Sequence, residues 1–341
     1  MTFEETVKKN WDHISKPIDG FGEFESLHAK ISSIQKKDPC DLSHMELVVF
    51  CADHGIVEEG VSQCDKEVTR LCAENIGKGK TTAGVMAHAL NVTIEAVDVG
   101  IDSDDEVPGT VFKRVARGTK NFLKASAMEE NELDMALSVG REMAEKAKRE
   151  GVSVLLSGEM GIGNTTSAAV VCGYLLRLFN KELSENDLCG RGAGLSDEGL
   201  RKKRRVIKKA LSMHEKLPAT EAMRIFGGFE LLAMSGMMLK ANELHIPVIL
   251  DGMLSLVSAL YAFCIEPTVT DILIPSHITK EPACRAILET LSLSPVLDAG
   301  MATGEGTGAL MLVPLLRLSQ EVYNEALRFG ESGVLQYERF K

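Results

Sequence analysis

Short continuous apolar runs alternate along the chain with longer stretches in which apolar residues recur every three or four positions. Continuous runs are typical of strands buried on both faces of a parallel sheet, and the wider spacing is typical of the helices that cover such a sheet. The runs that predict strands lie at 46–52, 92–99, 152–156, 246–252 and 269–274. This repeated order of strand and helix predicts an α/β protein with a parallel, Rossmann-like sheet flanked by helices.

Helical patterns fill most of the connections between these runs. The strongest lies at 129–150, where apolar side chains from Leu133 to Ala147 mark one face and basic residues load the last turn, as the helix dipole favours. Thr279 is predicted to cap a later helix, and segment 101–120 is predicted to be a loop. The other predicted helices lie at 65–90 with glycine interruptions, 196–216, 220–243, 253–265, 280–291 and the C-terminus.

The two ends of the chain are predicted to fold together. We expect residues 1–36 and 318–341 to form a small helical subdomain beside an α/β catalytic domain of residues 37–317. No repeat or proline-rich linker divides the larger domain. Because ligands of parallel sheets bind beyond the carboxyl ends of the strands, the polar residues that follow the strands are the first candidates for a site.

The composition says more about which functions are excluded than about the fold. The net charge of −11 argues against a nucleic-acid backbone or an anionic membrane surface as a partner, and aromatic residues make up only 5% of the 341 residues. The eight cysteines show no C-x-x-C spacing, so we expect no metal site and a reducing, cytoplasmic location. The longest apolar stretch is too short to span a bilayer.

The sequence SGEMGIGNTTSAAVV at 157–171 is typical of a strand, a glycine-rich turn and a helix. Gly161 and Gly163 allow a sharp turn, and a helix that starts near Asn164 and Thr165 presents N–H groups that favour a phosphate. Glu159 would repel a phosphate from within this turn, so we expect its carboxylate to face sugar hydroxyls or a developing positive charge. The structural alternative is a tight connection that contains a buried acid.

A second glycine-rich loop, GEGTG at 304–308, holds Glu305 between Gly304 and Gly306. The flanking glycines leave this carboxylate accessible, so it is a candidate general base, and capping of the following helix is the alternative. Asp53 and His54 follow the first strand. They are candidates for an acid–base pair or for metal ligands, but a structural role for Asp53 as a cap of the next turn is favoured.

Several common enzyme classes lack their motifs in this chain. There is no G-x-x-x-x-G-K-[ST] loop for a nucleoside triphosphatase and no G-x-S-x-G elbow for a hydrolase. A nicotinamide-dependent oxidoreductase is disfavoured because no G-x-G-x-x-G is followed by a ribose-binding acid at the right distance. The basic run at 201–205 is typical of a solvated helix face, although one of its lysines could reach an anionic ligand.

Taken in order, the motifs resemble those of the nicotinate-nucleotide–dimethylbenzimidazole phosphoribosyltransferases, which make the lower-ligand nucleotide of cobalamin. The resemblance covers about residues 45–329, and GEMGIGNTT and GEGTG are its most specific parts. The motifs that carry it are ADHGIVEEGVS at 52–62, SGEMGIGNTTSAA at 157–169, GRGAGL at 190–195, GGFELLAMSGMML at 227–239, IPVILDG at 246–252, PSHITKEPACR at 275–285 and GEGTGALMLVPLLR at 304–317.

The resemblance implies transfer of phosphoribose from nicotinate mononucleotide to 5,6-dimethylbenzimidazole or a related benzimidazole, which releases nicotinate and needs no cofactor or metal. It implies that Glu305 is the general base, that Glu159 faces the reacting sugar, and that Lys203, or else its neighbour Lys202, lies near the phosphoribosyl group. The positions implied for phosphate and ribose are Gly161, Gly163, Asn164, Thr165, Thr279, Gly304 and Gly306.

The acceptor side departs from the family pattern. Cys64 and Asp65 replace an aromatic residue and a proline, and Leu71 replaces a glutamine that faces the acceptor. The acceptor-binding set implied here is Ser62, Asp53 and Leu71. An alternative is transfer to phenol or p-cresol by a heterodimer of two related chains. Family members are dimers, so the resemblance implies a homodimer or such a heterodimer.

Overall fold

Six strands form one sheet, and each neighbouring pair of strands is parallel. In this computed structural model, which describes residues 2–339, the strands are β1 (Met45–Ala52), β2 (Thr93–Gly100), β3 (Thr110–Phe112), β4 (Val154–Met160), β5 (Val248–Leu250) and β6 (Leu273–Pro275). Their order across the sheet is β3-β2-β1-β4-β5-β6. The predicted parallel α/β architecture is confirmed.

Helices cover both faces of the sheet. They are α1 (Phe3–Asp12), α2 (Glu23–Gln35), α3 (Glu67–Gly77), α4 (Thr82–Ala89), α5 (Glu130–Arg149), α6 (Asn164–Leu178), α7 (Glu185–Leu188), α8 (Asp197–Leu211), α9 (Ala219–Phe226), α10 (Phe229–Leu244), α11 (Met253–Ile265), α12 (Cys284–Leu291), α13 (Thr307–Glu325) and α14 (Phe329–Ser332). Short 3₁₀ turns occupy Gly55–Glu59 and Pro267–Ile272. Among residues 2–339, no helix combines the length and apolar character needed to cross a membrane.

The sheet divides the core into two layers, and the side chains of its central strand β1 point alternately into each. Val48 and Phe50 point to the layer that contains α5, α6, α10 and α11, whereas Leu47 and Val49 point to the layer that contains α2 and α13. All eight residues of β1 are buried, because successive side chains of a strand point to opposite faces and both faces are covered. This explains why the sequence shows a continuous apolar run rather than an alternating one.

The chain termini meet on one side of the sheet. Trp11 of α1 is buried against Tyr323 near the end of α13, and Ile14 bridges to Arg328. Helix α13 is continuous from Thr307 to Glu325, so it passes through the predicted boundary at 317/318. The division of the chain into two domains stays a prediction.

Three local expectations are wrong. The predicted loop at 101–120 contains the edge strand β3, which is too short to produce a recognisable sequence pattern. Strand β4 continues to Met160, so Glu159 lies in the strand and not in the turn. Thr279 does not cap α12, which starts at Cys284, because Pro282 disfavours a helical conformation at the residue before it. Instead, Thr279 accepts the backbone N–H of Glu281.

Helices α5 and α10 pack backbone to backbone. A Cβ on Gly140 would lie 1.8 Å from the carbonyl oxygen of Ala233, and a Cβ on Gly236 would lie 2.1 Å from that of Leu137. Such distances are far below van der Waals contact, so both positions require glycine.

We expect Gly140→Ala to lower the free energy of unfolding by about 3 kcal/mol, because the added methyl group forces the two helices apart. Gly330→Ala is the matched control, since its Cβ would meet no atom within 4 Å. Urea unfolding of both variants measures the difference. Equal stabilities of the two variants would contradict the close packing.

Candidate active site

A cavity of about 330 Å³ lies at the carboxyl ends of the central strands. Ligands of parallel α/β sheets bind at this edge. The lining comes mainly from segments 61–64, 159–165, 191–195, 251–254 and 302–305. Residues far apart in the sequence therefore line one cavity, as was predicted from the polar residues that follow the strands.

A larger cleft of about 820 Å³ lies between α2 and the segment that precedes β6. None of the predicted site residues lines it. The half-buried amine of Lys30, which lines this cleft, already donates to the carbonyl oxygens of Thr270 and Leu273, at 3.0 and 2.7 Å. The smaller cavity is therefore the candidate active site.

The glycine-rich turn is tightly fitted against the end of β1. A Cβ on Gly161 would lie 2.5 Å from the carbonyl oxygen of Ala52, and one on Gly163 would lie 2.7 Å from the Val57 side chain. Gly163 also has φ +94°, a conformation that other residues rarely adopt. Helix α6 begins directly after it, so the first turn of that helix, with Asn164 and Thr165, lines the cavity. This arrangement suits an anionic ligand.

Glu159 is a buried acid at the end of β4. Asn164 donates its side-chain amide to the Glu159 carboxyl group, and a Cβ on Gly304 would lie 3.0 Å from the Glu159 Oε1. Burial, reinforced by the neighbouring carboxylates of Asp251 and Glu230, raises the pKa of Glu159 to about 8. The group is therefore mainly neutral at pH 7 in the free protein. A neutral Glu159 does not repel a phosphate, so the repulsion expected from the sequence is absent in the free protein.

Glu305 also lines the cavity and has an unusual backbone conformation. Gly304, Glu305 and Gly306 have φ of +82°, +58° and +82°, and a positive φ is uncommon for a residue with a side chain. Strand β4 abuts this loop, because a Cβ on Gly158 would lie 3.1 Å from the Glu305 carbonyl oxygen. The Glu305 carboxylate is half-buried and accepts a long hydrogen bond of 3.4 Å from the N–H of Ala83.

Asp251 fixes the shape of the Glu305 loop. Its buried carboxylate accepts the backbone N–H groups of Gly306 and Gly308, at 3.1 and 2.7 Å. Burial raises the pKa of Asp251, and nearby His277 together with these N–H donors opposes that rise. Since the Gly306 N–H is already bound to Asp251, Gly306 shapes the loop and does not line the cavity.

Lys203 is the cavity-facing lysine of the basic run. Its side chain is buried, with 1% of the residue exposed, and its Nζ donates to Thr165 Oγ1 at 2.7 Å. Burial lowers the pKa of Lys203. Lys202 is exposed and does not line the cavity. Helical spacing from Leu200 could have identified Lys203 as the inward-facing residue.

Sequence reasoning missed a second acid that organises the cavity wall. Glu281 accepts the N–H groups of Gly190 and Gly192, at 2.8 and 3.1 Å, and so holds the GRGAGL loop beside the cavity. Arg191 of that loop and Thr279 also line the cavity. The signal for Glu281 was weak, because an acid near a predicted helix start is usually explained by the helix dipole.

Of the three predicted acceptor residues, only Ser62 lines the cavity. Asp53 is buried behind the wall, where its carboxylate accepts the N–H of Asp102 at 2.8 Å. Leu71 is 44% exposed on α3 and points away, whereas Val68 and Cys72 of the same helix line the cavity. Adjacent residues of a helix lie on different faces, so a shift of one position along α3 separates an exposed side chain from one that lines the cavity.

We expect Glu159→Gln to change how stability depends on pH. The pKa of Glu159 is raised, so the folded protein retains a proton that the unfolded chain releases, and stability is lost as pH rises from about 4.5 to about 8. The glutamine variant lacks this loss. Its Tm relative to the native protein should rise by about 2 °C or more between about pH 5 and about pH 9. Scanning calorimetry across that range measures it, and a constant difference would contradict the raised pKa.

Comparison with known proteins places this chain in a family. A family model described as "Phosphoribosyltransferase" matches residues 1–334. Nicotinate-nucleotide–dimethylbenzimidazole phosphoribosyltransferase of Ruminiclostridium cellulolyticum is 35% identical, and the match covers 99% of both chains. The protein of that name from Thermus thermophilus is 37% identical, with 95% of each chain covered.

The fold agrees with this similarity. A crystal structure of CobT from Thermus thermophilus superposes with a TM-score of 0.91 at 35% identity, and the match covers 98% of this chain and 99% of that one. The resemblance read from the motifs is confirmed. This chain belongs to the phosphoribosyltransferase family that includes the nicotinate-nucleotide–dimethylbenzimidazole phosphoribosyltransferases.

Proposed function

We infer that this chain transfers phosphoribose from nicotinate mononucleotide to 5,6-dimethylbenzimidazole or a related benzimidazole. The observation that carries this inference is that two acids, Glu159 and Glu305, line one cavity together with the start of α6. The family and the relatives' names support the same reaction.

The donor fits the side of the cavity formed by the glycine-rich turn. Its phosphate would lie at the N-terminus of α6, where Lys203 and Thr165 add a positive charge and a hydroxyl group. The neutral form of Glu159 tolerates this anion. Its carboxylate form is suited to the positive charge that develops on the sugar as the bond to nicotinate breaks.

The reaction needs one proton acceptor. Cleavage of the glycosidic bond leaves the electron pair on the ring nitrogen of nicotinate, which departs from a pyridinium and needs no proton. One nitrogen of the benzimidazole then bonds to the anomeric carbon, and the proton on the other nitrogen goes to Glu305. The half-buried position of the Glu305 carboxylate at the cavity wall suits this role as general base.

The phenolic alternative has no support. The relatives compared above are named for dimethylbenzimidazole. Leu71, one of the residues that suggested another acceptor, lies outside the cavity. A benzimidazole therefore remains the proposed acceptor.

We also propose that the protein is a cytoplasmic dimer. Helices α4 and α13 pack together and expose large apolar side chains, those of Val85, Met311 and Leu318, which a second subunit could cover. All eight cysteines are free thiols, as is usual in a reducing compartment. Light scattering during size-exclusion chromatography measures the mass directly.

We expect Glu305→Gln to reduce kcat by about 10²- to 10⁴-fold with little change in the KM for nicotinate mononucleotide, because only proton transfer is lost. Glu325→Gln, an exposed acid at the far end of α13, is the control and should retain native kcat. Steady-state assays of nicotinate release measure both variants. Near-native turnover of Glu305→Gln would exclude Glu305 as the base.

We expect Lys203→Met to raise the KM for nicotinate mononucleotide by about 10-fold or more, because a buried, charged phosphate donor is removed. The neighbouring substitution Lys202→Met removes the same charge from an exposed position and should leave KM unchanged. Equal effects of the two substitutions would indicate a general effect of charge rather than a contact.

A further inference from the structure

One carboxylate fixes the GRGAGL loop, residues 190–195, beside the cavity. Glu281 Oε2 accepts the backbone N–H of Gly190 at 2.8 Å, and Glu281 Oε1 accepts that of Gly192 at 3.1 Å. Backbone N–H groups that converge on one point bind anions, and here the anion belongs to the protein itself. Each oxygen of Glu281 therefore holds one residue of the loop.

The carboxylate fits so closely that residue 190 has no room for a side chain. A Cβ on Gly190 would lie 2.6 Å from Glu281 Oε1 and 2.7 Å from Oε2. The φ of Gly190 is not positive, so the obstacle is the carboxylate and not the backbone conformation. An alanine at this position would therefore push the Glu281 side chain away from the loop.

Glu281 itself is held by the segment that follows β6. Thr279 Oγ1 accepts the backbone N–H of Glu281 at 3.0 Å. Thr279, Glu281 and Arg191 all line the cavity. The Glu281 side chain thus joins this segment to a loop that lies about ninety residues earlier in the sequence.

The loop lies directly against the groups proposed above for the donor's phosphate. A Cβ on Gly192 would lie 3.1 Å from Thr165 Oγ1 and 3.5 Å from Lys203 Nζ. These two groups are hydrogen-bonded to each other at 2.7 Å. Lys203 is buried, and Gly192 is part of what covers it. A displacement of the loop would therefore change both the position and the hydration of the Lys203 amine.

We propose that Glu281 is a positioning residue for the donor's phosphate, because its carboxylate keeps the GRGAGL loop against the pair formed by Lys203 and Thr165. The proposal rests on the proposed function and adds a residue that acts through the loop rather than by touching the donor. Both oxygens of Glu281 already accept N–H groups of the loop. These donors offset the negative charge of Glu281, so its repulsion of a nearby phosphate is weakened.

The charge of Glu281 also acts on Lys203, and this effect has to be separated from the effect of the loop. Burial lowers the pKa of Lys203, and the negative charge of Glu281 opposes that fall. Glu281→Gln removes the charge and one of the two acceptor oxygens. Gly190→Ala keeps the charge but displaces the carboxylate from the loop, since the added methyl group takes its place.

We expect each of these substitutions to raise the Kd for nicotinate mononucleotide by about 5-fold or more, because the loop no longer supports the phosphate position. The double variant should bind no more weakly than the weaker single variant, since both changes remove the same contact. Calorimetric titration without an acceptor measures the Kd. Glu289→Gln, which changes an exposed acid on α12, is the control and should bind as the native protein does.

Steady-state kinetics separate positioning from a general loss of structure. At saturating nicotinate mononucleotide, kcat of both single variants should stay within about 2-fold of the native value, while KM for this donor rises as Kd does. A native Kd and KM in a folded Glu281→Gln variant would overturn the proposal. An effect of Glu281→Gln that Gly190→Ala does not reproduce would also overturn it, because the charge and not the loop would then be responsible.

Trypsin gives a readout that does not depend on activity. The side chain of Arg191 is exposed, and cleavage after it requires the loop to leave its place. In both variants the fragment that ends at Arg191 should form at least about 5-fold faster than in the native protein, as followed by mass spectrometry. Equal rates would overturn the proposal. Weak donor binding and fast cleavage in the variants, without phosphoribosyl transfer by the native protein, would overturn the proposed reaction and leave this inference standing.

Discussion

Burial of acids at the carboxyl edge of the sheet is the constraint on which the site depends. Each of these carboxyl groups has a different set of neighbours, and those neighbours decide its use. Asp251 is surrounded by backbone N–H donors and shapes the Glu305 loop. Glu159 has one amide donor and several acidic neighbours, so it holds a proton. The same residue type thus serves as a structural anchor in one place and as a reactive group in another part of the same cavity wall.

Much of the architecture could be predicted because strands covered on both faces are apolar throughout. The runs that became β1, β2, β4 and β5 are mostly apolar and mostly buried, and polar residues follow at the ends that approach the cavity. The edge strand β3 was missed because three residues are too few for a pattern. The end of β4 was missed because Ser157 and Gly158 are small residues that favour turns, yet here they pair with Val48 and Val49 of β1.

The site was less predictable than the fold, because it depends on which way single side chains point. Among adjacent lysines, the inward direction of Lys203 follows from the helical period. The outward direction of Leu71 depends on how α3 packs, which no local pattern fixes. Glu281 was missed for a different reason, since its partners lie about ninety residues earlier in the chain. Contacts over such separations are set by the completed fold alone.

Helix α13 runs from the cavity to the region where the two ends of the chain pack together. It starts at the loop that carries Glu305 and ends where Tyr323 packs against Trp11 of the first helix. Nineteen residues of helix span about 28 Å, so this one element connects the two regions. Helix α1, through Val7 and Trp11, therefore packs at the far end of α13. The packing of the first helix and the placement of the Glu305 loop therefore depend on one continuous helix.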